Sequence, residues 1–199
     1  MLVSRPDDVV VVSGLPRSGT SLMMAILEAA GLPLLVDDLR PPDRDNPRGY
    51  FEYQPVKALA SDSRWIDLAR GKAVKVIYRL VRHLPPHLRY RVVFMDRALT
   101  EVLASQDKMV QRLSAGAALT AEETARVAGA YRSELAAVRD WLDRQPNISV
   151  LVVDHAALLR EPARPLQQLR GFLELGDHVS CAQLRAVIDP GLHRNRAAS

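Results

Sequence analysis

Val9 to Ser13 is an unbroken apolar and β-branched run that passes directly into Gly14, and a few residues later apolar positions recur at helical spacing, at Leu22, Met23, Ile26, Leu27 and Ala30. A strand with no polar face must be covered on both sides, the condition of a strand inside a parallel sheet. Gly31 follows the helical run as its C-terminal cap. Strand, glycine loop and helix in this order predict an α/β fold, a parallel β-sheet flanked by helices on both faces. The rest of the chain keeps the alternation: Ala73 to Tyr78, Arg91 to Asp96 and Ile148 to Asp154 read as further buried strands.

Between them, Leu99, Val102, Leu103, Val110 and Leu113 form one helical stripe, with the helix predicted to start at Ala98. Thr120 and Glu123 have the spacing of a capping box, opening a helix whose buried face is Val127, Tyr131, Leu135, Val138 and Leu142. Tyr53 to Asp62 reads as a short helix. Asp37 to Gly49 carries three prolines and many charges, so it is a loop, long enough to suggest a functional role. After the last strand, Pro162, Pro165 and Pro190 punctuate short helices and a basic tail. A chain of 199 residues, 48% of them hydrophobic, suits one core, so a single domain over 1–199 is expected.

The 27 Lys and Arg against 23 Asp and Glu leave a net charge of +4. The basic residues are scattered and aromatics are only 5%, which argues against nucleic-acid or membrane-surface partners and for a small anionic ligand. No apolar run approaches the 18 residues of a membrane span, and the start, MLVSRPDDVVVVSG, has neither the charge pattern nor the length of a signal peptide. With Cys181 the lone cysteine, no internal disulfide can form and a cytoplasmic location is expected.

The segment Ser13 to Ser21, SGLPRSGTS, lies where a helix N-terminus offers unpaired backbone N–H groups to an anion, with Gly14 and Gly19 allowing close approach. Ser18, Thr20 and Ser21 add hydroxyls, and Arg17 adds a cation. The spacing of the two glycines matches the P-loop of nucleoside-triphosphate enzymes, yet Thr20 stands where those enzymes need a lysine. A sulfuryl group on a 5′-phosphate concentrates less charge than a triphosphate with Mg²⁺, so one arginine and neutral donors could serve it.

SGLPRSGTSLM resembles the 5′-phosphosulfate loop of the P-loop sulfotransferases, in the form found in tyrosylprotein sulfotransferases and short bacterial relatives. Arg97 and Ser105, eight residues apart in MDRALTEVLAS, resemble the pair with which that family holds the 3′-phosphate of its donor. Because eight helical steps turn about 80° beyond two full turns, the two can share an anion only if Arg97 precedes the helix and reaches along it. The resemblance runs from Val9 to Phe172, through VLVVDHAALLREP, where His155 replaces the tyrosine many relatives have near the adenine. It implies 3′-phosphoadenosine 5′-phosphosulfate as donor and 3′,5′-diphosphoadenosine as product, with Pro16, Arg17, Ser18, Gly19, Thr20, Ser21, Arg97 and Ser105 in the donor site. The acceptor, a small molecule or a peptide, and the oligomeric state are not legible.

Sulfuryl transfer needs a group to take the acceptor's proton and cations to meet the leaving oxygen. Glu52, in NPRGYFEYQ, resembles the family's general base, with a helix-start glutamate as the plainer reading and Asp37 or Asp38 next in line. Lys75 interrupts the apolar strand AVKVIY, where a charge is costly unless it is paired or lines a site; the family has a catalytic lysine in the corresponding strand, and a strand-edge lysine snorkelling to solvent is the alternative. Val76 and Ile77 follow it, so the histidine base of cytosolic relatives is absent. Catalysis is therefore assigned to Glu52, Lys75 and Arg17. His83, His87, His178 and His193 have no metal-ligand spacing, and no metal is expected. The family's C-terminal glycine-rich segment is missing, and His193, Arg194, Asn195 and Arg196 are either substitute cations or a loose tail. Trp65 and Trp141 read as core or groove aromatics. A small P-loop kinase and a non-catalytic nucleotide-binding protein are the alternatives.

Overall fold

The computed structural model describes residues 7–37, 39–43, 46, 49–113 and 120–189, with the backbone alone for 107–113. Asp38, the side chains of Val110 and Leu113, and the tail with His193, Arg194, Asn195 and Arg196 lie outside the described residues. Four parallel strands, β1 (Val9–Gly14), β2 (Ala73–Lys75), β3 (Tyr90–Asp96) and β4 (Ile148–Asp154), form one sheet in the order β2-β1-β3-β4. The parallel α/β expectation holds.

The uniform valine run of β1 now has its reason. Val9 and Val11 face one core with Val74, Val92 and Phe94, while Val10 and Val12 face the other with Ala73, Val93 and Met95. The first core is closed by α3 (Ala121–Asp143), through Val138 and Leu142, and by the segment 54–69 with Leu59, Trp65 and Ile66; Val102 of α2 (Leu99–Leu113) joins it. The second is closed by α1 (Thr20–Ala29), α4 (His155–Arg160), α5 (Ala163–Leu173) and α6 (Cys181–Arg185). Burying both faces of a strand removes roughly 1.5 to 3 kcal/mol worth of exposed apolar side chain per valine, so periodicity gives way to a continuous run.

Local signals settle most element ends. Gly31 takes φ 79 after α1. The Thr120 hydroxyl accepts from Glu123 N–H at 3.2 Å, and the Glu123 carboxylate accepts from Thr120 N–H at 2.9 Å, completing the capping box. Two differences are informative. The expected helix at 53–62 is a 3₁₀ turn over Gln54–Ala58 started by Pro55, which fixes φ and donates no N–H. The strand expected over 73–78 counts as regular only to Lys75, although Val76 N–H still reaches Val12 O at 3.0 Å and Tyr78 N–H reaches Gly14 O at 3.3 Å. At the opposite end of the sheet the buried Arg91 pairs with the buried Asp8 at 3.1 Å and with Glu174 at 3.1 Å.

Strand order places the site. From β1 the chain moves to β2 on one side and later crosses to β3 on the other, so the loop after β1 lies at a topological switch point, outside the carboxyl ends of the strands. Lys75 ends β2 on one flank, and Arg97 follows β3 on the other.

Candidate active site

The loop between β1 and α1 needs both of its glycines. A Cβ on Gly14, at φ 146, would lie 2.5 Å from Ser18 Oγ and 2.7 Å from Met95 O. One on Gly19, at φ 97, would lie 2.5 Å from His155 Cδ2. The loop is thus pressed against β3 and against the buried His155 at the start of α4. Gly19 is the N-cap of α1 and offers no side chain to cap it, and the first bond of the helix runs from Met23 N–H to Gly19 O at 3.1 Å. The N–H groups ahead of it therefore point out of the helix start, beside the half-buried Thr20 and Ser21. Ser18 differs: its N–H donates to Leu15 O at 3.1 Å, and its hydroxyl is buried without a hydrogen-bond partner among the described residues, as is that of Ser13. Its side chain is turned into the loop.

Arg17 adopts φ 71, a left-handed conformation that costs a non-glycine residue about 1–2 kcal/mol. Such strain persists where neighbours over-determine it, often at ligand clamps. Here Arg97 Nη1 donates to the Arg17 carbonyl at 2.9 Å, and Arg17 Nε donates to Ser105 Oγ at 3.1 Å. The pair eight residues apart does meet at one place, and that place is Arg17. Arg97 lies ahead of α2 as required, and its Nε donates to the buried Glu101 carboxylate at 2.9 Å. Gln106 Nε2 donates to the carbonyl of the exposed Pro16 at 3.3 Å.

The other flank is assembled from distant segments. Lys75 Nζ donates to the Tyr50 carbonyl and, at 3.4 Å, to Ser21 Oγ. Asn46 Nδ2 also donates to Ser21 Oγ, at 2.8 Å. Burial brings the Lys75 ammonium down to about 8, with Glu52 opposing that shift and Arg40 adding to it. Glu52 accepts from Arg40 Nη1 at 3.0 Å, and the Arg40 guanidinium carbon lies 3.3 Å over the Tyr50 ring. The Tyr50 hydroxyl donates to Asp43 Oδ2 at 2.6 Å, and its acidity is reduced by burial first and by that hydrogen bond second. Glu52 precedes a 3₁₀ turn and does not sit at a helix start. Asp37, the reserve base, is occupied: one oxygen accepts from Leu39 N–H at 3.2 Å and the other from Gln54 N–H at 2.5 Å.

Sequence reasoning missed Glu101, Arg40, Tyr50 and Asn46. Glu101 was detectable, being four residues after Arg97 at a helix start. The other three lie in an irregular loop whose path no periodicity reports. Trp65 packs edge-on to Tyr53 at 5.4 Å in the first core, and Trp141 packs against the same core.

The chain is similar in fold to the sulfotransferase domain of the curacin biosynthetic pathway, with a TM-score of 0.52 and 15% identity over 98% of this chain and 94% of that one. It is also similar to the sulfotransferase domain of the Synechococcus PCC 7002 olefin synthase, with a TM-score of 0.50 and 15% identity over 99% and 90%. A sugar kinase from Janibacter sp. HTCC2649 aligns over 88% and 99% at 17% identity with a TM-score of 0.43, too low to carry an argument. No family model and no curated protein matches the chain.

Proposed function

We propose that this protein is a sulfotransferase using 3′-phosphoadenosine 5′-phosphosulfate as donor and acting as a single cytoplasmic domain on an acceptor hydroxyl or amine. The observation that carries the reading is the arrangement around Arg17: Arg97 and Ser105 touch it from the β3 flank, while Lys75 and Ser21 meet on the β2 flank. A donor with phosphate groups at both ends of a nucleoside needs an anion cradle with a second cationic group to one side, and transfer needs an acid–base pair on the other.

The chain's own groups fit the donor. The uncapped start of α1, with the glycines that let the chain close on it, suits the 5′-phosphosulfate. Arg97 and Ser105 suit the 3′-phosphate. The bound donor supplies a sulfuryl group, whose bond to the 5′-phosphate oxygen breaks with its electron pair leaving on that oxygen as the acceptor's bond to sulfur forms. Glu52 takes the acceptor's proton. The Lys75 ammonium and Arg17 supply positive charge where the leaving oxygen gains negative charge. Thr20, where a triphosphate enzyme requires lysine, weighs against the kinase alternative.

A thermal-shift and calorimetric comparison of 3′,5′-diphosphoadenosine, AMP, and ATP with Mg²⁺ tests the reading. A charge-assisted contact to the 3′-phosphate predicts at least about tenfold tighter binding of the diphosphate than of AMP. Equal affinities would remove the basis for a sulfuryl donor.

A further inference from the structure

We infer that the acceptor carries a carboxylate, which takes the Arg40 guanidinium from Glu52 and thereby frees Glu52 to act as the base. The inference rests on the sulfotransferase reading and on Glu52 as its base. As the site stands, Glu52 is paired with Arg40 Nη1 at 3.0 Å. That hydrogen bond occupies Glu52 Oε1, so the pair has to open before this oxygen can accept a proton from the acceptor. Opening is inexpensive: the side chains are 46% and 28% exposed, and pairs this open contribute only about 0 to 1 kcal/mol.

What remains after the pair opens is a guanidinium that cannot wander far. It lies on the Tyr50 ring, and Tyr50 is buried, with its hydroxyl held by Asp43 and its carbonyl by Lys75. A stacked guanidinium keeps its planar edge of donors for a carboxylate, which it can bind through two parallel hydrogen bonds. The other cations are committed differently. Arg17 is bonded to Ser105 and Lys75 to Tyr50 and Ser21, and both are less exposed than Arg40. A neutral acceptor offers Arg40 nothing in exchange for Glu52; an acidic one offers it an equivalent partner. Recognition and activation of the base then become one event.

The test uses a matched pair of phenols, 4-hydroxyphenylacetate and 4-hydroxyphenylacetamide, titrated into the full chain saturated with 3′,5′-diphosphoadenosine. Wild-type protein should bind the carboxylate at least about tenfold more tightly than the amide, the increment of a charge-assisted bidentate contact. Arg40→Gln should bring the two affinities together with no change in nucleotide affinity or melting temperature. Arg40→Lys should give an intermediate preference, keeping the charge and losing the fork. Equal affinities in wild type, no binding of the carboxylate, or a preference that survives Arg40→Gln would each overturn the inference. The nucleotide titration separates the two levels: 3′,5′-diphosphoadenosine no tighter than AMP removes the donor reading and this inference with it, whereas tight nucleotide without carboxylate preference removes this inference alone.

Discussion

The two flanks of the loop are built on different plans. On the β3 side, Arg97, Glu101, Ser105 and Gln106 come from one strand end and the helix that follows it, and Arg97, Glu101 and Ser105 are largely buried. On the β2 side, Ser21, Arg40, Asn46, Tyr50, Glu52 and Lys75 come from a helix, a long irregular loop and a strand, and their principal ion pair is exposed. A ligand that is the same in every turnover calls for a rigid, local holder. Chemistry on a second substrate calls for groups that can exchange partners. The difference teaches that donor affinity and turnover should be separable by mutation, flank by flank.

The largest expected effect would break that division directly. Glu52→Gln should lower kcat by about 10² to 10⁴ while leaving the affinity for 3′,5′-diphosphoadenosine unchanged. Rapid-quench measurement of transfer beside calorimetry of the nucleotide decides it, and a loss of nucleotide affinity would mean that the flanks are not independent. Arg17 belongs to both, so Arg17→Ala should weaken nucleotide binding by about 1.5 to 3 kcal/mol, and turnover should fall with it. A folded variant of unchanged affinity would detach the loop from the donor.

On the β3 side the effect should be selective. Arg97→Ala should erase most of an at least tenfold preference for 3′,5′-diphosphoadenosine over AMP while barely changing AMP binding, because AMP lacks the 3′-phosphate. An arginine that only braces Arg17 would lower both affinities alike, and a competition titration distinguishes the two.

The β2 side should instead show itself in pH dependence. Burial lowers Lys75 to about 8, so its ammonium, the form able to meet the leaving oxygen, is lost as pH rises through that value. kcat/KM should therefore fall on the alkaline side with a midpoint near 8, and Lys75→Arg, which stays protonated, should lose that limb even if its plateau is lower. A flat profile to pH 9.5 in wild-type protein would take Lys75 out of the transfer step. The smallest effect is none: with no triphosphate to bridge, EDTA should leave transfer unchanged, and a metal-reversible loss would favour a kinase-like chemistry on both flanks.

Much of this was readable in the sequence where the physics is local. A valine run ending in glycine implies a strand buried on both faces, and the structure supplies the two cores that cover it. Thr120 and Glu123 carry their capping box in their spacing because both hydrogen bonds close within one turn. Arg97 and Ser105 were singled out by their resemblance to the family's 3′-phosphate pair, whereas the overlooked Glu101 follows Arg97 at the four-residue spacing of helix neighbours. Lys75 stood out because a charge in an apolar strand is costly unless it is paired or lines a site, and the structure sets it at the end of the edge strand β2, bonded to Tyr50 and Ser21.

What tertiary structure alone decided is which of these local pieces touch. Nothing in the spacing says that Arg97 and Ser105 would both engage Arg17, a residue some eighty positions away, because that follows from β3 lying next to β1 in the sheet. The Lys75 contact with Tyr50 and the Arg40 pairing with Glu52 depend on the path of a proline-rich loop that has no repeating hydrogen bonds. Periodic elements announce themselves because each residue repeats the environment of the one a turn or a pleat before it. An irregular loop has no such repeat, and its side chains find their partners only when the sheet and α1 are in place to receive them.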